Sequence, residues 1–226
     1  MANIIEANKL TKKYQDGDSI VVALDEVSLT LSEKESMVII GTSGSGKTTL
    51  LQLLGGLDFP TSGSVVIHGQ SLNTMDDDKL STFRNKTIGF VFQFFHLLEY
   101  LTAKENIALP LILDGQSQEV ANKRAEYLLK QINLEHRTNH KPTMMSGGEM
   151  QRVAIARALA NNPKIIMADE PTGNLDKVNA NNVLELFDQI AKTGVSILII
   201  THDESMADRY DHVLYLDKGS VQPTGK

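Results

Sequence analysis

Met37-Val38-Ile39-Ile40-Gly41-Thr42-Ser43-Gly44-Ser45-Gly46-Lys47-Thr48 is the stretch that decides the fold. Its four leading apolar residues have no polar break, as expected of a strand buried on both faces. They run straight into Gly41 to Thr48, which fits G-x-x-x-x-G-K-[ST]. Thr48 to Leu54 then reads as a helix stopped by Gly55-Gly56. Strand, glycine loop and helix, in that order, are the context in which such a loop binds phosphate. Glycines let the backbone curl around an anion with its N–H groups pointing inward. The helix start behind them carries roughly half a positive charge. Lys47 is placed to reach the β- and γ-phosphates of a nucleotide, and the Thr48 hydroxyl can ligate Mg²⁺.

A second phosphate-type motif lies far along the chain. Ser146-Gly147-Gly148-Glu149 opens a predicted helix, Glu149 to Leu159. A serine cap at a helix start is itself suited to an anion. A plain cap is the simpler reading, but two glycines exceed what a cap needs. One phosphate loop already serves one nucleotide, so a second anion site suggests a γ-phosphate gripped from both sides.

Ile165-Ile166-Met167-Ala168-Asp169-Glu170 is an apolar strand ending in two carboxylates. Many strands end in acidic residues. Beside a phosphate loop, though, Asp169 can hold Mg²⁺ through water and Glu170 can polarise an attacking water. His202 follows a buried strand at its C-terminal end, where ligands of open α/β sheets bind. With Asp203 beside it, His202 could sense a γ-phosphate. Gln93, after Gly89-Phe90-Val91-Phe92, could reach Mg²⁺ or the lytic water, and Tyr14 could stack on adenine. Read alone, each of these three is better explained as a structural residue.

The 226 residues suit one large domain with a subdomain. Hydrophobic residues make up 41%, enough for a proper core. A net charge of -6 argues against nucleic acid as a partner. The absence of cysteine excludes disulfides and fits a reducing compartment. No apolar run approaches the ~18 residues of a membrane span, and the N-terminus lacks a signal-peptide layout. The expected location is therefore cytoplasmic, with any membrane part supplied by another polypeptide.

Short strands are predicted at Ile4–Ala7, Ser28–Leu31, Ser64–His68 and Ile88–Phe92. Gln118 to Leu134 has helical spacing, with Val120, Ala121, Ala125, Leu128, Leu129 and Ile132 on one face. It anchors a helical subdomain over residues 94–160. The α/β rhythm then returns: a strand at Lys164–Ala168, a helix at Val178–Ala191, a strand at Val195–Thr201, and a pair, Val213–Asp217 with Ser220–Gln222, turning at Lys218-Gly219. Buried strands alternating with helices argue for a parallel, helix-covered sheet.

With these residues placed, almost the whole chain resembles the ATP-binding subunit of ABC transporters. Gly41 to Thr48 is similar to the Walker A motif, Gln93 to the Q-loop, and Ser146 to Gln151 to the signature. Ile165 to Glu170 is similar to Walker B, Gly173-Asn174-Leu175-Asp176 to the D-loop, and His202 to the switch histidine. Tyr14 falls at the adenine-stacking aromatic. Gly55 to Asp58, Ile88 to Gln93 and Ala168 to Asp176 resemble the lipoprotein-releasing and macrolide-export (LolD/MacB-like) branch. Five positions depart from the family pattern. Met145 replaces Leu, Glu149 stands where Gln is commoner, and Thr42 and Glu99 replace Pro. Lys34 occupies a turn position that is usually Gly.

The resemblance implies a P-loop ABC-type nucleotide-binding domain: an α/β fold with a mixed-sheet core, an N-terminal antiparallel β subdomain and a helical subdomain. Residues 1–93 and 161–226 would form the core and β subdomain, and 94–160 the helical part. It implies an ATPase using ATP and Mg²⁺. Glu170, His202 and Gln93 would be catalytic, and Thr48, Gln93 and Asp169 would hold the metal. Tyr14, Gly41 to Thr49, Ser146 to Glu149 and Asp176 would bind nucleotide. The signature of one copy would close over ATP held by a second copy, and the dimer would drive an integral membrane permease from the inner face of the cell membrane. A motor that transmits force or signal without moving a substrate, as division-linked relatives do, is the alternative. Soluble ABC ATPases of DNA repair or translation carry tandem domains or long insertions, for which 226 residues leave no room.

Overall fold

The structure, a computed structural model, describes residues 2–17, 19–210 and 212–222. Contacts divide the chain into two compact units, residues 1–81 with 194–226, and residues 82–193.

The first unit opens with two 14-residue strands, β1 (Asn3–Asp16) and β2 (Ser19–Ser32), paired antiparallel. The sequence shows only fragments of them because the in–out alternation breaks. Lys9 and Glu26 have positive φ (46 and 47), and the register shifts between Ala7 and Leu10. Such bulges let a strand continue while its periodicity slips. β1 also pairs with β4 (Ser62–Ile67), which pairs with β5 (Gln70–Ser71).

The same unit holds β3 (Ser36–Ile40), flanked in parallel by β8 (Ser196–Thr201) and β9 (His212–Asp217). β10 (Ser220–Gln222) closes antiparallel on β9 around the expected Lys218-Gly219 turn. All six residues of β8 are buried, as a strand covered on both faces requires. α1 (Lys47–Leu54) buries Leu50, Leu51, Leu53 and Leu54 and ends at Gly55, with Gly56 left-handed at φ 62. Lys34 adopts φ 67 in the turn before β3, and its N–H donates to Ser196 Oγ at 2.8 Å. The glycine-like turn thus survives with a lysine in it, at a strain of about 1 kcal/mol.

The unit boundary falls within α2 (Asp77–Thr87). In the second unit β6 (Ile88–Phe92) runs parallel to β7 (Ile165–Asp169). α3 (Ala103–Leu113), α4 (Gln118–Gln131) and α5 (Gly147–Ala158) share a core of Ile107, Ala108, Ala121, Ala125, Leu128, Leu129 and Val153. α6 (Lys177–Lys192) buries Val183, Leu184, Phe187 and Ile190. Several details differ from expectation: α3 was not anticipated, and α4 ends at Gln131 rather than Leu134. Val120 is 49% exposed, because the buried stripe runs through 121, 125, 128 and 132 and Val120 sits about 100° off it. α2 was not anticipated, since DDKLSTFRNKT carries almost no apolar stripe. Among the described residues no helix is long and apolar enough to cross a membrane.

Candidate functional site

In the first unit, the loop between β3 and α1 is tied at both ends. The Gly41 N–H donates to Thr201 O at 3.2 Å, and the Gly219 N–H donates to Ser45 O at 2.9 Å. Gly46 has φ 101, and a Cβ there would lie 2.5 Å from Ala23 O, so no other residue fits. The α1 helix begins at that glycine with no side-chain cap. The starts of α3, α4, α5 and α6 are capped by Thr102, Ser117, Ser146 and Asp176. Lys47 is buried, and its ammonium turns back to donate to Gly41 O (2.8 Å) and Thr42 O (2.9 Å). Ser45 Oγ is buried with no hydrogen-bond partner among the described residues. An uncapped helix start, a cation and an orphaned hydroxyl in one loop suit a phosphate. Thr48 is exposed and Thr49 half-buried at the start of α1.

His202 directly follows Thr201, whose carbonyl holds the Gly41 N–H, so the structure seats it at the base of the loop. Asp203 caps the short turn Glu204–Asp208, accepting from Ser205 N at 3.0 Å. Tyr14 lies on β1 opposite Val21. Val21 is two residues, about 7 Å, along β2 from the Ala23 carbonyl that backs Gly46. The Tyr14 hydroxyl donates to Asp58 Oδ2 at 3.1 Å, and the Lys12 ammonium sits 5.0 Å from the ring centroid while bonding Asp58 at 2.7 Å. Burial pushes the Asp58 carboxyl up. The Lys12 ammonium, the Phe59 N–H and the Tyr14 hydroxyl outweigh that and hold it below the usual range.

In the second unit, Phe92 pairs with Asp169 in the β6–β7 register, so Gln93 and Glu170 leave adjacent strands one residue beyond a matched pair. Glu170 has φ 45, and its carbonyl accepts the Gly173 N–H at 3.1 Å. Gln93 Nε2 donates to Asn174 Oδ1 (3.2 Å), and Asn174 Nδ2 returns a bond to Gln93 O (3.0 Å). Asp176 caps α6, accepting from Val178 N, Asn179 N and Asn179 Nδ2. The two Asn179 donors lead in holding its carboxyl below the usual range. Among the described residues no three His, Cys, Asp or Glu cluster to hold a metal by themselves. Within this unit Asp169 ends β7 and Gln93 follows β6, and hard oxygens of this kind suit an ion that keeps water ligands, as Mg²⁺ does.

Sequence reading missed two residues that shape the segment after Gln93. Phe95 and His96 are consecutive left-handed residues, φ 61 and 48. Both carbonyls accept from the Arg157 guanidinium of α5, at 2.8 Å for Phe95. Asn106 is fully buried on α3; it accepts from Leu98 N (2.8 Å) and donates to Leu98 O (3.1 Å), Leu101 O (3.2 Å) and Thr102 O (3.0 Å). The only available signal was for Asn106, a polar side chain beside the apolar residues Ile107 and Ala108; Arg157 gave none. Phe94 is 69% exposed while Leu97 packs on the helical core, so the apolar run divides between surface and interior.

At the start of α5, Ser146 and Glu149 form a reciprocal cap. The Glu149 N–H donates to Ser146 Oγ (3.3 Å) and the Ser146 N–H to Glu149 Oε2 (2.8 Å). No bond within the described residues uses the Gly147 and Gly148 N–H groups, the two first-turn donors left over. A Cβ on Gly147 would meet nothing closer than 3.5 Å, whereas on Gly148 it would meet Asn179 Oδ1 at 2.3 Å. Packing therefore demands the second glycine and leaves the first unexplained.

A sequence profile of the ABC transporter family matches residues 24–173. The chain is 46% identical over 219 residues to a lipoprotein-releasing system ATP-binding protein LolD of Chromohalobacter salexigens, covering 96% of this chain and 92% of that protein. It is 45% identical to a LolD of Pseudoalteromonas translucida, covering 96% and 94%. The fold matches the dimeric post-hydrolysis structure of the ATP-binding cassette MJ0796 bound to ADP and Pi, with TM-score 0.90, 44% identity and 97% of both chains covered. A second dimeric structure of MJ0796, a bacterial ABC transporter cassette, matches at TM-score 0.90 and 45% identity over 97% of both chains.

Proposed function

The chain belongs to the ABC transporter family, and on that premise we propose that it is the ATP-hydrolysing motor of a transporter whose permease is of the lipoprotein-releasing type. Its partners are a second copy of itself and that integral membrane permease, which holds it at the inner face of the cell membrane. Residues 1–93 and 161–226 hold the nucleotide, and 94–160 present the signature.

Gly41 to Thr49 bind the phosphates, Lys47 exchanging its loop carbonyls for β- and γ-oxygens. Thr48, Asp169 and Gln93 would hold Mg²⁺, which would supply charge neutralisation for the phosphates. Glu170 accepts a proton from the water that attacks the γ-phosphorus, leaving ADP and phosphate. His202 contacts the γ-phosphate, Tyr14 stacks on adenine, and Asp176 approaches the nucleotide across the pair. Ser146 to Glu149 of the second copy close over the same ATP. Loss of the bridging γ-phosphate then releases the pair, because ATP and ADP contact the closed form differently.

The start of α5 carries this reading: its two glycine N–H groups have no acceptor among the described residues, and Gly147 leaves space for one from outside. The test is a pair of variants. Glu170→Gln should bind ATP, lose turnover and accumulate as an ATP-bound dimer; normal turnover would remove the base role. Ser146→Arg should abolish that dimer while monomer ATP affinity stays intact. Collapse of single-site affinity instead would place the signature in cis and end the sandwich reading.

A further inference from the structure

Glu149 is a carboxylate in the first turn of a helix start that, on the reading above, receives a phosphate. A free negative charge there would repel the anion it is meant to admit. Both of its oxygens are committed within the chain. Oε2 accepts from Ser146 N at 2.8 Å, and Oε1 accepts from Arg137 Nε at 2.8 Å. His136 Nε2 stands 3.9 Å from the same Oε1. Arg152, one turn along α5, adds a weaker positive field. The Glu149 side chain is 13% exposed and that of Arg137 30%. Burial pushes the Glu149 carboxyl up, but the Ser146 N–H and the Arg137 guanidinium prevail and keep it ionised. Its charge is therefore present, and Arg137, at the end of the turn Glu135–Arg137, is the close cation that cancels it.

We propose that Arg137 is a positioning and charge-compensating residue of the signature turn. It cancels the Glu149 carboxylate and holds it against the Ser146 N–H, so the Gly147 and Gly148 N–H groups stay open to the phosphate of ATP on a second copy. The inference rests on the sandwich reading above. A merely structural tie between the turn and α5 would behave differently. A tie is needed whatever residue 149 is, whereas charge compensation is needed only while residue 149 is charged.

The experiment measures the ATP-dependent dimer of the Glu170→Gln chain by light scattering at saturating ATP and Mg²⁺. Arg137→Ala, Glu149→Gln and the combination are compared. Arg137→Ala should weaken the dimer about tenfold. That loss should shrink between about 50 and about 500 mM salt, because the screening length falls severalfold. In the Glu149→Gln background the same substitution should change the dimer by less than about twofold. Arg137→Lys should recover most of the loss, and monomer ATP affinity should not move. If Arg137→Ala also lowers folding stability, the Arg137→Lys against Arg137→Met contrast decides the matter, since both keep a long unbranched side chain and only one keeps the charge. An equal loss in both residue-149 backgrounds, or no loss while the parent dimer forms, overturns the inference and leaves the sandwich reading standing. Absence of any ATP-dependent dimer in the parent overturns both.

Discussion

The two signature glycines should respond oppositely to a single methyl group. On Gly148 a Cβ would sit 2.3 Å from Asn179 Oδ1, 2.6 Å from its Cγ and 3.0 Å from its Cβ. The last of these is rigidly attached to α6, so a rotamer change alone cannot relieve the clash. Moving Asn179 also breaks its 2.6 Å bond to Asp176 Oδ2. Overpacking of this kind costs about 1–3 kcal/mol, and the lost bond about 1 kcal/mol more. Alanine's better helix propensity returns about 0.5–1 kcal/mol. Gly148→Ala should therefore destabilise by about 2 kcal/mol, a fall in Tm of roughly 4–8 °C for a chain of this size. Gly147→Ala, with nothing nearer than 3.5 Å, should leave Tm level or slightly raised yet weaken the ATP-dependent dimer. Thermal melts of the nucleotide-free variants, followed by dimer assays, separate the two. Equal melting of Gly148→Ala and the parent would show that α5 and α6 do not pack as described. A large Tm loss in Gly147→Ala would show that this glycine is structural as well.

Other substitutions probe features outside the motifs. Asn106→Leu leaves Leu98 N and Leu101 O without their side-chain partner, so chemical denaturation should show a loss of about 3 kcal/mol, and susceptibility of residues 94–102 to proteolysis should rise. Lys34→Gly relieves a left-handed lysine and should raise Tm by about 2 °C; a fall would mean that the lysine side chain contributes more than its backbone strain removes. The folded pKa of Asp58 is depressed, so its stabilisation is present above its unfolded pKa of about 3.9 and is lost as pH falls through the folded value. Melting of Asp58→Asn and the parent should thus differ most at neutral pH and converge below about pH 4; a constant gap across that range would refute the ionic origin.

The strand, loop and helix of the proposed phosphate site were legible as elements because their local chemistry is self-contained. β3, the glycine loop and α1 lie within 20 consecutive residues, and their periodicities are unambiguous. The long β1–β2 pair was read as fragments, since bulges at Lys9 and Glu26 break the alternation that a linear pattern depends on. Arg157 and Asn106 were overlooked because each acts on carbonyls near Gln93 from a different helix, a relation no spacing rule encodes. Asp176 was read as nucleotide-binding, and the structure adds that it caps α6.

By itself the sequence carried a glycine loop at Gly41 to Thr48 suited to phosphate and a second helix start, at Ser146, suited to an anion. Both follow from residue types whose backbone freedom, charge and hydrogen-bonding capacity are local properties. Only the tertiary structure decided which parts of those motifs are committed inside the chain and which face outward. Gly148 is filled by Asn179 while Gly147 stays open, and the Glu149 carboxylate is turned onto Arg137. Those outcomes depend on where α6 and the Glu135–Arg137 turn come to lie, and only packing between distant segments sets that position.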